Sequence, residues 1–164
     1  MDAVDVAAFF KEKGKDKYQV MKLTYYAQGL YLKLYDEPLF DDPIEAWEKG
    51  PVPRTAYDAF HSLEYDPSSM NLHYLSFLED VAEEFDSLDS EKLIQKTHEE
   101  DPWKQAYVEN QRNIISQDSM KAFFNNFPMT VAEKRLVAQR EKALSFFEKK
   151  ANGASAEDGS SSSS

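Results

Sequence analysis

The residues best suited to chemistry in this chain stand together at positions 97–103, Thr-His-Glu-Glu-Asp-Pro-Trp, where His98 adjoins Glu99, Glu100 and Asp101. A histidine among carboxylates is the material of a general acid–base pair or of a metal site. The same letters also describe one helix ending and another beginning, with Asp101 as its N-cap and Pro102 in its first turn, and that structural reading is the favoured one. The remaining histidines, His61 and His73, fall at no zinc-ligand spacing from each other or from His98. Absence of cysteine removes thiolate metal sites, cysteine nucleophiles and disulfides, and points to a reducing compartment, the cytoplasm. The five glycines, at 14, 29, 50, 153 and 159, are too scattered to cradle a phosphate. These residues therefore predict a binding protein with no catalytic residue, no cofactor and no metal.

Charge narrows the class of partner. The 164 residues carry a formal net charge of -11, unevenly distributed. Lys33 to Lys121 holds 21 acidic against 8 basic residues, a net of -13, whereas Thr130 to Lys150 holds 3 against 6, a net of +3. A field of this sign repels phosphate backbones and attracts basic protein surfaces, which disfavours nucleic acid as a partner. A DNA-binding autoregulator would rest on the basic segment alone. The start of the sequence does not read as a signal peptide and no apolar run approaches membrane-spanning length, so no membrane role is expected.

The elements that must position the 97–103 stretch read as helices. With 41% hydrophobic and 13% aromatic residues the chain can order a core, and the fold class expected is mainly α: a compact single-domain helical bundle with room for a small β-hairpin near residues 39–47. Val6, Phe9 and Phe10 mark a first short helix ending at Gly14. Asp16 and Gln19 have capping-box spacing, and Val20, Leu23, Ala27, Leu30, Tyr31 and Leu34 follow as one stripe of a central helix. Gly29 inside it predicts close approach by another helix or by an aromatic turn. Leu39-Phe40 and Ile44 to Trp47 read as the two arms of the hairpin. Gly50, Pro51 and Pro53 read as a turn leading into a helix that runs to about Leu63.

Further on, Leu72, Leu75, Leu78, Val81, Ala82 and Phe85 form a stripe, a shorter helix passes through Leu93 and Ile94, and Ser116 begins a helix bearing Met120, Phe123, Phe124 and Phe127. The organisation expected is a domain over 1–128, an appended basic amphipathic helix over 129–150 capped by Thr130 and Glu133, and a disordered tail over 151–164. The apolar side of the basic helix, with Leu136, Val137, Leu144 and Phe147 beside Arg140, is open to two equal readings, a face that docks on the acidic domain or the candidate partner-binding face.

The stretches "DVAAFF", "KLTYYAQGLYLKLYDEPLF", "IEAWEKGPV" and "LIQKTHEEDPW" together resemble, in order and spacing, the Panacea domain, the antitoxin domain of bacterial and phage toxin–antitoxin pairs, over roughly residues 5–127. Where the family commonly follows Gly-Pro-Val with an aliphatic residue and then proline, this chain has Pro53 and Arg54 directly. The resemblance implies a mostly helical fold and neutralisation of a cognate protein toxin by direct contact, with a role in phage defence. An adaptor that delivers the bound toxin to a cellular, energy-dependent protease is the alternative. It also marks Trp47, Gly50, Pro51, His98, Pro102 and Trp103 as family-motif residues, expected to be structural. In this account Gly50 admits a backbone angle or a close approach, while Trp47, Pro51 and Tyr57 pack the turn against the part of the central helix carrying Tyr25, Tyr26 and Gly29.

Overall fold

The computed structural model describes the backbone of residues 1–162 and the side chains of residues 1–153. The chain divides into two units, Met1–Pro128 and Met129–Ser164. The first is mainly helical, with α1 (Ala3–Glu12), α2 (Lys17–Tyr35), α3 (Arg54–Ala59), α4 (Leu72–Glu84), α5 (Ser90–His98), α6 (Asp101–Ala106) and α7 (Gln117–Phe124). A small antiparallel sheet of β1 (Ile44–Trp47), β2 (Gly50–Pro53) and β3 (Ile114–Ile115) completes it, in the order β2-β1-β3.

Helix α2 is the axis of this unit. It opens on the expected capping box, Asp16 accepting from the Gln19 backbone and Gln19 from that of Asp16. Every residue from Val20 to Leu32 is buried, so the single stripe legible in the sequence understates its burial. Helices α1, α4, α5 and α7 and strand β2 all pack on it, which explains how an axis containing Lys22, Thr24 and Gln28 closes on every side. Each of these polar groups has a partner: Thr24 Oγ1 donates to the Val20 carbonyl, Lys22 Nζ to that of Pro51, and Gln28 Nε2 to that of Phe40.

The hairpin differs from the one expected. Its arms are 44–47 and 50–53, joined at Glu48-Lys49, with Trp47 paired to Gly50 and Ile44 to Pro53. Leu39-Phe40 is not a strand because Gln28 satisfies its backbone instead: the Leu39 amide donates to Gln28 Oε1 at 2.8 Å and the Phe40 carbonyl accepts from Nε2 at 2.7 Å. The residues read as a helix entrance, Gly50 to Pro53, are strand β2, and helix α3 begins only at Arg54. Pro51 and Pro53 are compatible with a strand because β2 is at the edge of the sheet, where a missing amide leaves no neighbouring strand unpaired.

Smaller differences have local causes. Glu100, not Asp101, is the N-cap residue of α6, and its side chain makes no capping bond because it turns inward to two tyrosines. Leu72 is 77% exposed, being the first residue after the Asn71 cap, whereas Phe77, outside the expected stripe, is buried with Leu78, Val81 and Phe85. Gly29 has the predicted close neighbour. A Cβ there would fall 2.1 Å from Phe124 Cε2, so α7 brings its fully buried Phe124 ring against the bare backbone of α2.

Among the described residues, the second unit contains helix α8 (Val131–Ser162). Thr130 Oγ1 accepts from the Glu133 amide, and the Thr130 carbonyl accepts from that of Lys134, as a cap requires. The helical backbone continues past the end expected near Lys150. Side chains 154–164 of the tail expected to be disordered, together with the backbone of 163–164, lie outside the described residues.

Candidate functional site

The six motif residues Trp47, Gly50, Pro51, His98, Pro102 and Trp103 meet where the hairpin joins α5 and α6. Gly50 is subject to two constraints. Its φ is +111°, a conformation that L side chains rarely adopt, and a Cβ would stand 2.7 Å from Thr97 Oγ1 and 3.0 Å from Lys22 Cε. The missing side chain lets the hairpin close over the Lys22 ammonium, which donates to the Pro51 carbonyl at 3.0 Å. Burial, together with nearby Lys49, lowers the Lys22 pKa to about 7. The turn thus packs against the Lys22 level of α2, while Tyr25, Tyr26 and Gly29 face Phe85, Phe124 and Glu100, correcting the expected contact.

Trp103 joins helix α6 to the sheet. Its indole Nε1 donates to the Trp47 carbonyl at 2.7 Å. Its ring stacks on His98, centroids 4.2 Å apart and planes 24° apart, and on Tyr107 at 4.6 Å and 16°. The outcome is a ladder of three half-buried rings. The Trp47 ring meets the edge of Tyr57 at 4.7 Å and lies under the Arg112 guanidinium at 4.2 Å. Pro102 is buried within the first turn of α6, as its position predicts.

The sequence places His98 beside three carboxylates, but the fold separates their roles. Glu99 and Asp101 are exposed, whereas Glu100 is 5% exposed. His98 Nε2 is buried without a hydrogen-bond partner, so that nitrogen is paired with neither Glu99 nor Asp101. Glu100 accepts from Tyr26 Oη at 2.9 Å and, at a longer 3.4 Å, from Tyr25 Oη. Burial pushes the Glu100 carboxyl up to about 7, against the opposing pull of the Tyr26 hydrogen bond and of Lys96 at 4.0 Å. The same burial, with Glu100 adjacent, raises both tyrosine hydroxyls. No group of metal-ligating side chains occurs among the described residues, and none of their helices is long and apolar enough to cross a membrane.

Sequence reasoning missed Lys22, Arg112 and the distinct role of Glu100. A lysine inside the run Val-Met-Lys-Leu-Thr-Tyr-Tyr, on a helix that elsewhere buries its residues, was a legible sign of a buried, partnered charge. The other candidate residues, Leu136, Val137, Arg140, Leu144 and Phe147, all lie on α8, in the second unit. Within that unit Val137, Leu144 and Phe147 are exposed by 36%, 62% and 66%, as is the neighbouring Phe146 by 62%.

The family whose description is "Antitoxin SocA-like, Panacea domain" matches residues 20–104, narrower than the resemblance over 5–127 but containing all six motif residues. No curated protein and no solved structure matches the chain. The match covers more than half of the sequence, from the central helix through the Trp103 anchor, and on it the chain belongs to the antitoxin SocA-like Panacea domain family.

Proposed function

We propose that this protein is the antitoxin of a toxin–antitoxin pair, acting in the cytoplasm, and that it neutralises a cognate protein toxin by binding it directly. Family membership over residues 20–104 is the observation that carries this reading. The interior of the matched region supports a scaffold role for the motif: Gly50, Trp103 and Glu100 are engaged in holding the hairpin, α6 and α2 to one another. Recognition then belongs to the surface. Helix α8 offers one candidate contact, because Leu136, Val137, Arg140, Leu144 and Phe147 fall along one side of it at helical spacing, with Val137, Leu144 and Phe147 exposed, and exposed apolar side chains grouped in this way suit an interaction site. The function requires no cofactor and no catalytic residue.

The test is co-purification of the full chain with the product of the reading frame that adjoins its own, followed by repetition with Leu144→Asp and Phe147→Asp together. A stable complex lost in the double variant is expected. Absence of any complex with the wild-type chain would remove direct neutralisation. Loss of protection in cells lacking an energy-dependent protease would favour the adaptor alternative.

A further inference from the structure

Between the hairpin and the connection from α6 to β3 lies a cleft of about 460 Å³, lined by Trp47, Glu48, Tyr107, Glu109 and Arg112 among others. Tyr107 is the end ring of the ladder that begins at His98. Arg112 lies over the Trp47 ring and is itself exposed. The connection that forms one wall of the cleft also exposes Val108 by 46% and, beyond the cleft, Ile114 by 63%. Tryptophan, tyrosine and arginine are the residue types that dominate binding energy at protein interfaces.

We propose that this cleft is a docking site on the domain itself, and that it takes an aromatic side chain carried on a basic segment of the partner protein; the proposal rests on the antitoxin reading above. The choice of an aromatic anchor follows from the ladder. A planar side chain placed against Tyr107 extends a stack already spaced at 4.2 and 4.6 Å. The choice of a basic segment follows from charge. Glu48 and Glu109 line the cleft against the single cation Arg112, and Met1 to Pro128 carries 25 acidic against 13 basic residues, a net of -12. The cleft belongs to the first unit.

The site can be probed without knowing the toxin. The isotope-labelled full chain is titrated with the peptide acetyl-KKFKK-amide while the indole N–H resonances of Trp47 and Trp103 are followed by NMR. Saturable shifts are expected, with acetyl-KKAKK-amide and acetyl-EEFEE-amide each about tenfold weaker. The response should disappear in Tyr107→Ala and weaken in Glu109→Gln, a change at an exposed side chain that leaves the fold intact. Equal response to the alanine peptide, or an unchanged response in Glu109→Gln, would overturn the proposal. A growth assay against the adjoining reading frame's product separates this inference from the antitoxin reading. Peptide binding without protection by the wild-type chain keeps the docking site and removes the antitoxin role. Full protection by a normally melting Glu109→Gln, Tyr107→Ala double variant does the reverse.

Discussion

Gly50 cannot be replaced without affecting both its own backbone and its neighbours. An alanine there would be strained at φ +111° and would press its Cβ on Thr97 Oγ1 at 2.7 Å. Strain and crowding each cost on the order of 1–3 kcal/mol, so Gly50→Ala should lower stability by at least ~2 kcal/mol in urea unfolding. A neutral result would contradict this account of the turn. Glu100 makes a prediction with a sign. Its folded pKa of about 7 is above the ordinary carboxyl value of 4.5, so the folded state binds more protons between these limits and its contribution is complete below pH 4.5 and lost as pH rises through 7. The window corresponds to roughly 3 kcal/mol. Comparing wild type with Glu100→Gln should therefore show the wild type losing stability relative to the variant across pH 4.5–7. Lys22 acts in the next window: its pKa, lowered from 10.5 to about 7, makes the protein gain stability as pH rises between those values. A pH-independent difference between wild type and Glu100→Gln would show that the carboxyl is not desolvated as described.

At the scale of elements, helices were easier to locate than strands, for a physical reason. The Asp16–Gln19 capping box and the stripe after it are local, and α2 begins where they place it. The hairpin depends on distant partners. Leu39-Phe40 has strand-like residues, but the Gln28 side chain, eleven and twelve positions earlier, takes its backbone groups. Pro51 and Pro53 suggest a turn to a local reader, because only the sheet order reveals that β2 is an edge strand. Helix α8 carries the prediction appropriate to this scale. Leu144 and Phe147 are exposed by 62% and 66%, so replacing both with aspartate should leave the melting temperature within a degree or two of wild type, since exposed substitutions change stability by about 0.5 kcal/mol or less. Neutralisation should weaken at the same time. A large fall in melting temperature would instead assign this face to folding.

For the whole molecule, the family and the mainly helical class were legible, because aromatic and glycine positions in order leave a pattern in the sequence. What the pattern conceals is the division of labour. His98, Glu99, Glu100 and Asp101 are neighbours in sequence, yet His98 stacks on Trp103, Glu100 turns inward to Tyr25 and Tyr26, and Glu99 and Asp101 face outward. Successive helix-end residues point in different directions, and only packing decides which of them is buried. The acidic surface, with its net charge of -11, suits a basic protein partner. Direct neutralisation is the central claim, and growth measures it. The adjoining reading frame is induced in cells alone, with this protein, and with the Leu144→Asp, Phe147→Asp variant. Growth arrest relieved by the wild-type chain, and relieved less by the variant at equal protein level, is the predicted result. Arrest that persists beside abundant, folded wild-type protein would contradict it.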